Sequence, residues 1–232
     1  MRLTFLLTIL LFPLLIVLAA CAGGGGGQKE SALIEDAEAI SLQVGDMPVD
    51  FIEVEGSAMH VTDSQSCAGA EGAELDKCLS QLKDWGRLDG YQVEYASTDS
   101  TAFLSGTFDV FGAVSLYQDQ KGAAAAFRDG KERLQKELQQ LKDAKSVEIP
   151  TVGDESLAFV TTSTQSMGTR DIPVSLYVVD FQRGNVLGRI GATAPTALAS
   201  VDDALKLAQV MDKRILQVAG LISPTASPTA TP

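Results

Sequence analysis

One histidine, three cysteines and scattered carboxylates are the residues of this chain whose types suit chemistry. His60 is the single histidine, so any Ser–His–Asp or Cys–His relay would have to run through it. It stands between Met59 and Val61, and no Gly-x-Ser-x-Gly elbow supplies a nucleophile. A lone histidine in that company reads as a surface or strand-edge residue. The carboxylates gather at Glu35, Asp36 and Glu38, at Glu53 and Glu55, and at Asp202 and Asp203. Asp202-Asp203 falls where a helix begins, and negative charge there suits the macrodipole. No calcium loop of the Asp-x-Asp-x-Asp-Gly kind is present. A carboxylate pair for hydrolysis would have to be assembled in space, since no spacing marks one. No pattern calls for a cofactor or a metal. Trp85, Tyr91 and Tyr95 remain as candidates for an aromatic recognition surface; the competing reading has them walling the edge of the core.

The elements that position these residues follow from hydrophobic period. Ala32, Leu33, Ala37 and Ile40 give a weak apolar face to a helix over Lys29–Leu42, broken at Asp46-Met47-Pro48. Residues 51–62 alternate loosely and stay ambiguous between strand and loop. Gly72–Trp85 predicts a short helix with Cys78, Leu79, Leu82 and Trp85 on one side. The period then switches to two at Tyr91, Val93 and Tyr95, the mark of a half-buried strand. Phe108–Tyr117 is apolar on both faces and belongs in the middle of a sheet.

Asp119 caps a helix expected to reach about Ala144, with Ala123, Phe127, Leu134, Leu138 and Leu141 as its core stripe. Strands follow at Leu157–Thr162, Ile172–Phe181 and Val186–Ala192, the last two joined by the hairpin signal Gly184-Asn185. Counting from that turn pairs Phe181 with Gly188, Val179 with Ile190 and Tyr177 with Ala192. A final helix runs from a Ser200 cap to about Ala219, facing Leu205, Ala208, Met211, Ile215 and Val218 inward. Hairpin-type links between these strands imply an α+β fold, an antiparallel β-sheet with helices packed against it.

The chain opens with Met1-Arg2 and an apolar run to Leu18, the parts of a secretory leader. Leu18-Ala19-Ala20-Cys21 at its end resembles the lipobox of bacterial lipoproteins. That resemblance implies cleavage before Cys21 and lipidation of its thiol with acyl chains such as palmitate. Each buried methylene contributes about 0.8 kcal/mol, so two or three chains hold firmly where one holds marginally. It also implies a place in the cell envelope, on the outer side of the cytoplasmic membrane, or at the outer membrane of a diderm since Ala22 is not Asp. Pro13 and the missing Lys/Arg cluster after Cys21 speak against an uncleaved spanning helix. The expected organisation is a leader at 1–20, a lipidated cysteine and glycine-rich tether at 21–31, a single domain at 32–221, and a disordered Pro/Thr/Ser tail at 222–232. Gly23–Gly27 and the residues after them form a coil that stands the domain off by roughly 17 Å.

With Cys21 taken by lipid, Cys67 and Cys78 are left as an even pair in a compartment that permits disulfides. The expectation is a Cys67–Cys78 bond in preference to two buried thiols, because the stretch around them is polar and Gly/Ala-rich. Two thiols without further ligands do not complete a zinc site. The formal charge of −12 repels phosphate backbones and anionic lipid surfaces, so nucleic acid is excluded as a partner and membrane attachment must come from the lipid.

Val114-Ser115-Leu116-Tyr117, the alanine run before Phe127, Val152-Gly153-Asp154-Glu155, a hairpin and a closing helix resemble the ectodomains of some actinobacterial serine/threonine kinases. The same block is similar to small secreted lipoproteins of PsbP-like fold. The resemblance spans roughly Tyr91–Leu216 and implies a binding or sensing module with no catalytic residues to transfer. The leading expectation is therefore a tethered, non-enzymatic module for a small apolar ligand or an envelope protein. The alternatives are a structural or assembly factor for an envelope complex and, more distantly, a hydrolase. Replacing Cys21 by Ala is expected to abolish incorporation of an acyl label in growing cells; label persisting in that variant would remove the lipoprotein reading.

Overall fold

The computed structural model describes residues 36–221 except 100, 102–105, 141–142 and 168–169. The leader, Cys21, the tether, most of the helix expected over Lys29–Leu42, and the tail at 222–232 lie outside the described residues, as does Leu141. The chain begins with α1 (Ala37–Ile40) and a 3-10 turn (Val44–Asp46), then β1 (Phe51–Glu53) and β2 (Met59–His60). Helices α2 (Asp63–Ser66) and α3 (Ala73–Asp84) precede the strands β3 (Arg87–Ser97) and β4 (Asp109–Tyr117). Helix α4 (Gln120–Gln140) leads into β5 (Ala144–Val147), β6 (Glu155–Met167), β7 (Arg170–Arg183) and β8 (Val186–Pro195), and α5 (Val201–Val218) closes the fold. The strands lie in the order β1-β3-β4-β8-β7-β6-β5, with β2 also on β3, and every pairing is antiparallel. This is the antiparallel sheet with packed helices that the periodicity implies.

The β7–β8 register is the one counted from Gly184-Asn185: Phe181 meets Gly188, Val179 meets Ile190 and Tyr177 meets Ala192. Residues two apart share a face, so these pairs join Val93, Tyr95, Val110, Val114 and Leu116 in one core. Helices α1 and α5 cover that face with Ala37, Ile40, Ala204, Ala208, Met211 and Ile215, all essentially inaccessible. Each large aliphatic or aromatic side chain so buried contributes about 1.5–3 kcal/mol. Gly188 is required here because a Cβ would run into the Phe181 ring and come within 3.0 Å of Met211 Sδ. The opposite face meets α4, where Ala123 and Ala126 pack with Tyr117, Trp85 and Leu187.

The structure departs from the sequence-based expectation at three places and settles a fourth that the sequence left open. Among the described residues the first helix is a single turn, capped by the Asp36 carboxylate, which accepts from the Ala39 N–H at 2.9 Å. It ends because tertiary contacts demand extended chain beyond it. The Tyr95 hydroxyl donates to the Leu42 carbonyl at 3.0 Å, and Arg214 donates to the Ser41 carbonyl and to Asp46 at 2.7 and 2.8 Å. The ambiguous stretch 51–62 contains two short strands paired with β3. Ala144 does not end a helix but starts β5, opposite Thr161. Val218 is 48% exposed, because it sits in the last turn of α5 beyond the final buried position, Ile215.

Helix α4 crosses so close to the chain preceding β3 that a Cβ on Gly122 would fall onto the Trp85 carbonyl oxygen. Alanine is favoured over glycine in a helix interior by about 1 kcal/mol, but overpacking against backbone costs about 1–3 kcal/mol. Gly122→Ala is therefore expected to lower the thermal midpoint, by about 2–4 °C for each net kcal/mol lost. Circular dichroism melts check this; an unchanged or raised midpoint would contradict the packing.

Candidate functional site

The sheet face opposite α1 and α5 is only partly covered, and the gap is a cleft of about 430 Å³. Its floor is a single cross-strand row: Met59 pairs with Gln92, Gln92 with Ala113, Ala113 with Arg189, Arg189 with Asp180, and Asp180 with Leu157. All six line the cleft. One wall is α4, through Ala126, Phe127 and Gly130. The other is the α2–α3 segment, through Ser66, Leu82 and Trp85. A second hollow of about 410 Å³ lies where α4 meets β5 and β6, lined by aliphatic residues such as Leu134, Leu138 and Ile149 and lacking aromatics.

The α2–α3 wall is held by two devices. Cys67 and Cys78 form a disulfide with an S–S distance of 2.00 Å and Cα atoms 5.9 Å apart, which links the end of α2 to the middle of α3. Cys67 is buried within this polar stretch. Arg87, only 3% exposed at its side chain, donates through Nη1 to Asp63 at 2.6 Å and through Nη2 to the Val61 carbonyl at 2.8 Å. The guanidinium needs Gly90 beneath it, since a Cβ there would strike Nη2. Thr62 and Gln65 close a capping box around α2, and Gly69 and Gly72 take the positive φ values of 91° and 55° needed to turn the chain into α3.

On the floor, Arg189 donates from Nε and Nη2 to the two Asp180 oxygens at 2.6 and 2.7 Å. The Asp180 charge holds the Arg189 guanidinium pKa above its ordinary value, and burial opposes it. At the rim, Lys131 donates to Glu155 at 2.6 Å. The phenol of Tyr117 is pushed up to about 12 by burial and stays neutral. Away from the cleft, on the same sheet face, burial first and then the charge and hydrogen bond of Glu94 push the Asp109 carboxyl up to about 8.

Of the three aromatics singled out in the sequence, the structure brings Trp85 to the cleft. Tyr91 alternates with the floor residue Gln92, so its side chain lies on the other sheet face, packed against the main core and beside His60. Tyr95 belongs instead to the core: it is 2% exposed, its hydroxyl is held by Leu42, and burial pushes its pKa up to about 12. Tyr95 shares a sheet face with Val93 and Val110, which α1 and α5 cover, and that removes it from any recognition surface. His60 lies on the edge strand β2 with its side chain 58% exposed. Its Nδ1 is 3.0 Å from Asp89 and its Nε2 is 4.0 Å from Glu38, while Tyr91 presents a ring edge 5.3 Å away. Both ring nitrogens thus face carboxylates and neither meets a nucleophile. Asp202 and Asp203 occupy the first turn of α5, where Ser200 caps the helix and Asp203 accepts from the Thr107 hydroxyl at 2.7 Å. Cys21 lies outside the described residues.

The sequence reasoning missed Phe127, Tyr117, Asp180 and Arg189 as site residues. The signal for the last two was present: the register that pairs Phe181 with Gly188 and Val179 with Ile190 also sets Asp180 opposite Arg189, on the other face. Among the described residues no cluster of three or more His, Cys, Asp or Glu side chains is placed to hold a metal ion, and no helix is long and apolar enough to cross a membrane.

No family model matches the chain, and no curated protein does. Among solved structures it is similar to the extracellular domain of PknH from Mycobacterium tuberculosis. The alignment covers 80% of this chain and 93% of that one at 11% identity, with a TM-score of 0.37.

The disulfide ties the wall and not the sheet, so its removal is expected to act locally. A loop of this size stabilises by about 3 kcal/mol at most in the chain-entropy account. In the double variant Cys67→Ser, Cys78→Ser, amide exchange is expected to speed up across residues 63–84 while the amides of β4, β7 and β8 keep their protection. Uniform loss of protection across the sheet would show the bond to be global.

Proposed function

We propose that the protein is a lipid-anchored, extracytoplasmic binding module that captures a small, partly apolar ligand in the cleft and carries out no reaction on it. The cleft is the observation that carries this reading. Its volume falls within the roughly 300–1,000 Å³ common to small-molecule sites, and it combines a rigid sheet floor, aromatic walls and a few polar groups. The lipobox-like Leu18-Ala19-Ala20-Cys21 and the glycine leash supply the attachment. A tethered binder of this kind works at high effective concentration near the surface that holds it. His60, engaged by carboxylates on both sides, fits a surface ion cluster better than a general base.

Trp85 is the single tryptophan of the chain and lines the cleft, so it reports occupancy directly. The mature chain Cys21–Pro232 carrying Cys21→Ala, titrated with the neutral probe N-phenyl-1-naphthylamine, is expected to show saturable energy transfer from Trp85. Ala113→Phe fills the floor of the cleft and is expected to weaken that binding about tenfold or more, the equivalent of about 1.4 kcal/mol. Transfer that never saturates, or that is indifferent to Ala113→Phe in a folded variant, would end the cleft reading.

A further inference from the structure

We infer that the protein pairs with a second copy of itself along the outer edge of β6, strand against antiparallel strand, about a two-fold axis at Gln165. The surface concerned is separate from the cleft, and the inference stands apart from any ligand.

The β6–β7 hairpin runs past both of its neighbours in the sheet. β8 ends opposite Val174 and β5 begins opposite Thr161, so among the described residues 163–173 the ladder is the hairpin's own. Such a ribbon has two edges, and the backbone bonds at its base fix what each presents. The Thr162 N–H donates to the Asp143 carbonyl at 2.9 Å, toward β5. Backbone groups alternate sides along a strand, so those of Thr164 and Ser166 also point outward, beyond the start of β5. They meet no backbone partner among the described residues. On the β7 edge the Pro173 carbonyl accepts from the Thr196 N–H at 2.9 Å, which makes Pro173 and Asp171 the outward residues there.

The two edges are built differently. Pro173 has no N–H to offer and Asp171 is exposed, and a proline and a charge are the means by which a strand edge is kept from pairing. The β6 edge has neither. Residues 161–167 read Thr-Thr-Ser-Thr-Gln-Ser-Met, without a charge, a proline or a glycine, and Thr164 and Ser166 are exposed. The Ser166 hydroxyl donates to Asp171 at 2.6 Å, which braces the ribbon across its width.

A second copy fits because the open edge is complementary to itself. A two-fold axis at Gln165 sets Thr164 opposite Ser166 of the partner subunit, and Ser166 opposite Thr164 of the partner subunit. Each pair then exchanges both of its N–H···O bonds, with Gln165 facing its own counterpart between them. Although each chain carries a formal −12, no like charges meet across this edge. The chain's own flanks are poorer occupants: Gly23–Gly27 disfavour a strand, and Pro224, Pro228 and Pro232 lack the N–H a ladder needs. A strand contact this short buries far less than the roughly 1,200 Å² of a stable complex, so the pairing is transient in dilute solution. Confinement by the proposed lipid anchor raises the effective concentration that favours it.

The test uses the mature chain with Cys21→Ala, in which Cys67 and Cys78 are bonded to each other and an introduced cysteine is the one free thiol. Across the two-fold axis the Gln165 Cα atoms stand about 4.5 Å apart, within the roughly 4.4–6.8 Å that a disulfide spans. Ile172, opposite Gln165 on β7, is the control, because its two copies stand about 14 Å apart, three strand spacings. At about 1 mM chain a dissociation constant in the millimolar range still registers. Under copper–phenanthroline oxidation, Gln165→Cys is expected to form covalent dimer about tenfold faster than Ile172→Cys. Adding Thr164→Lys and Ser166→Lys, which sets like charges opposite each other, is expected to bring the Gln165→Cys rate down to that of Ile172→Cys. In the chain without these changes, the Thr164 and Ser166 amides are expected to exchange more slowly as concentration rises, while those of β4 stay constant. Equal rates for the two cysteine variants, a fast rate that survives the lysines, or Thr164 and Ser166 amides indifferent to concentration would each overturn the pairing. Gln165→Cys crosslinked in cells to a different protein and never to itself would overturn the choice of occupant.

Discussion

The register of the β7–β8 hairpin is the constraint on which the rest of the structure depends. A slip of one residue would exchange the two faces of one strand relative to the other. Either Phe181 and Val179 would leave the core and Asp180 would enter it, or Ile190 would leave and Arg189 would enter. The turn is anchored on three sides against such a slip. The Asp154 carboxylate accepts from the Gly184 N–H at 2.9 Å. The Asn185 side-chain amide donates to the Tyr117 carbonyl at 2.9 Å, and the Tyr117 N–H returns a bond to the Asn185 carbonyl. Arg183 bridges Asp154 and Asp212, which fastens the turn to α5. The hairpin is thereby locked to the sheet on one side and to the covering helix on the other.

From that register the two sheet faces acquire different work. One carries the apolar set under α1 and α5. The other carries the row from Met59 to Leu157, in which an ion pair sits among apolar and amide side chains. A charge pair in a fully covered face would face a large desolvation cost. On a face left half open by the spacing between α4 and the α2–α3 segment, it keeps contact with solvent and with anything that enters. The incompleteness of the cover is what turns a structural sheet into a candidate site.

The α2–α3 wall is the part of the fold with the least core of its own. Leu82 and Cys67 are buried and Trp85 packs at the margin of the smaller cluster, but the wall has no share in the main core beneath α5. A covalent link and one buried arginine replace that missing core. Elements held this way tend to open at lower free energy than core strands do, and here the element concerned is one side of the cleft.

By itself the sequence determined the elements with strong period and strong punctuation: the alternating strands, the amphipathic α4 and α5, the Ser200 cap, and the hairpin whose register could be counted from Gly184-Asn185. Local chemistry decides these, because φ-permissive turn residues and a buried face leave one pairing. The weakly patterned N-terminal stretch went the other way. The helix expected over Lys29–Leu42 is reduced to the turn Ala37–Ile40 among the described residues because Tyr95 and Arg214, distant in sequence, claim the backbone carbonyls after it. Tyr91 and Tyr95 look alike in sequence and lie on the same core-facing phase of one strand, yet Tyr95 is fully buried while Tyr91, nearer the sheet edge beside His60, is only partly covered. The cleft was legible only in part, through Trp85. Its floor is one row across six strands, and a row across a sheet is set by strand order, which no local pattern encodes. Which helices cover the sheet, and how far apart they stand, is decided by tertiary packing alone.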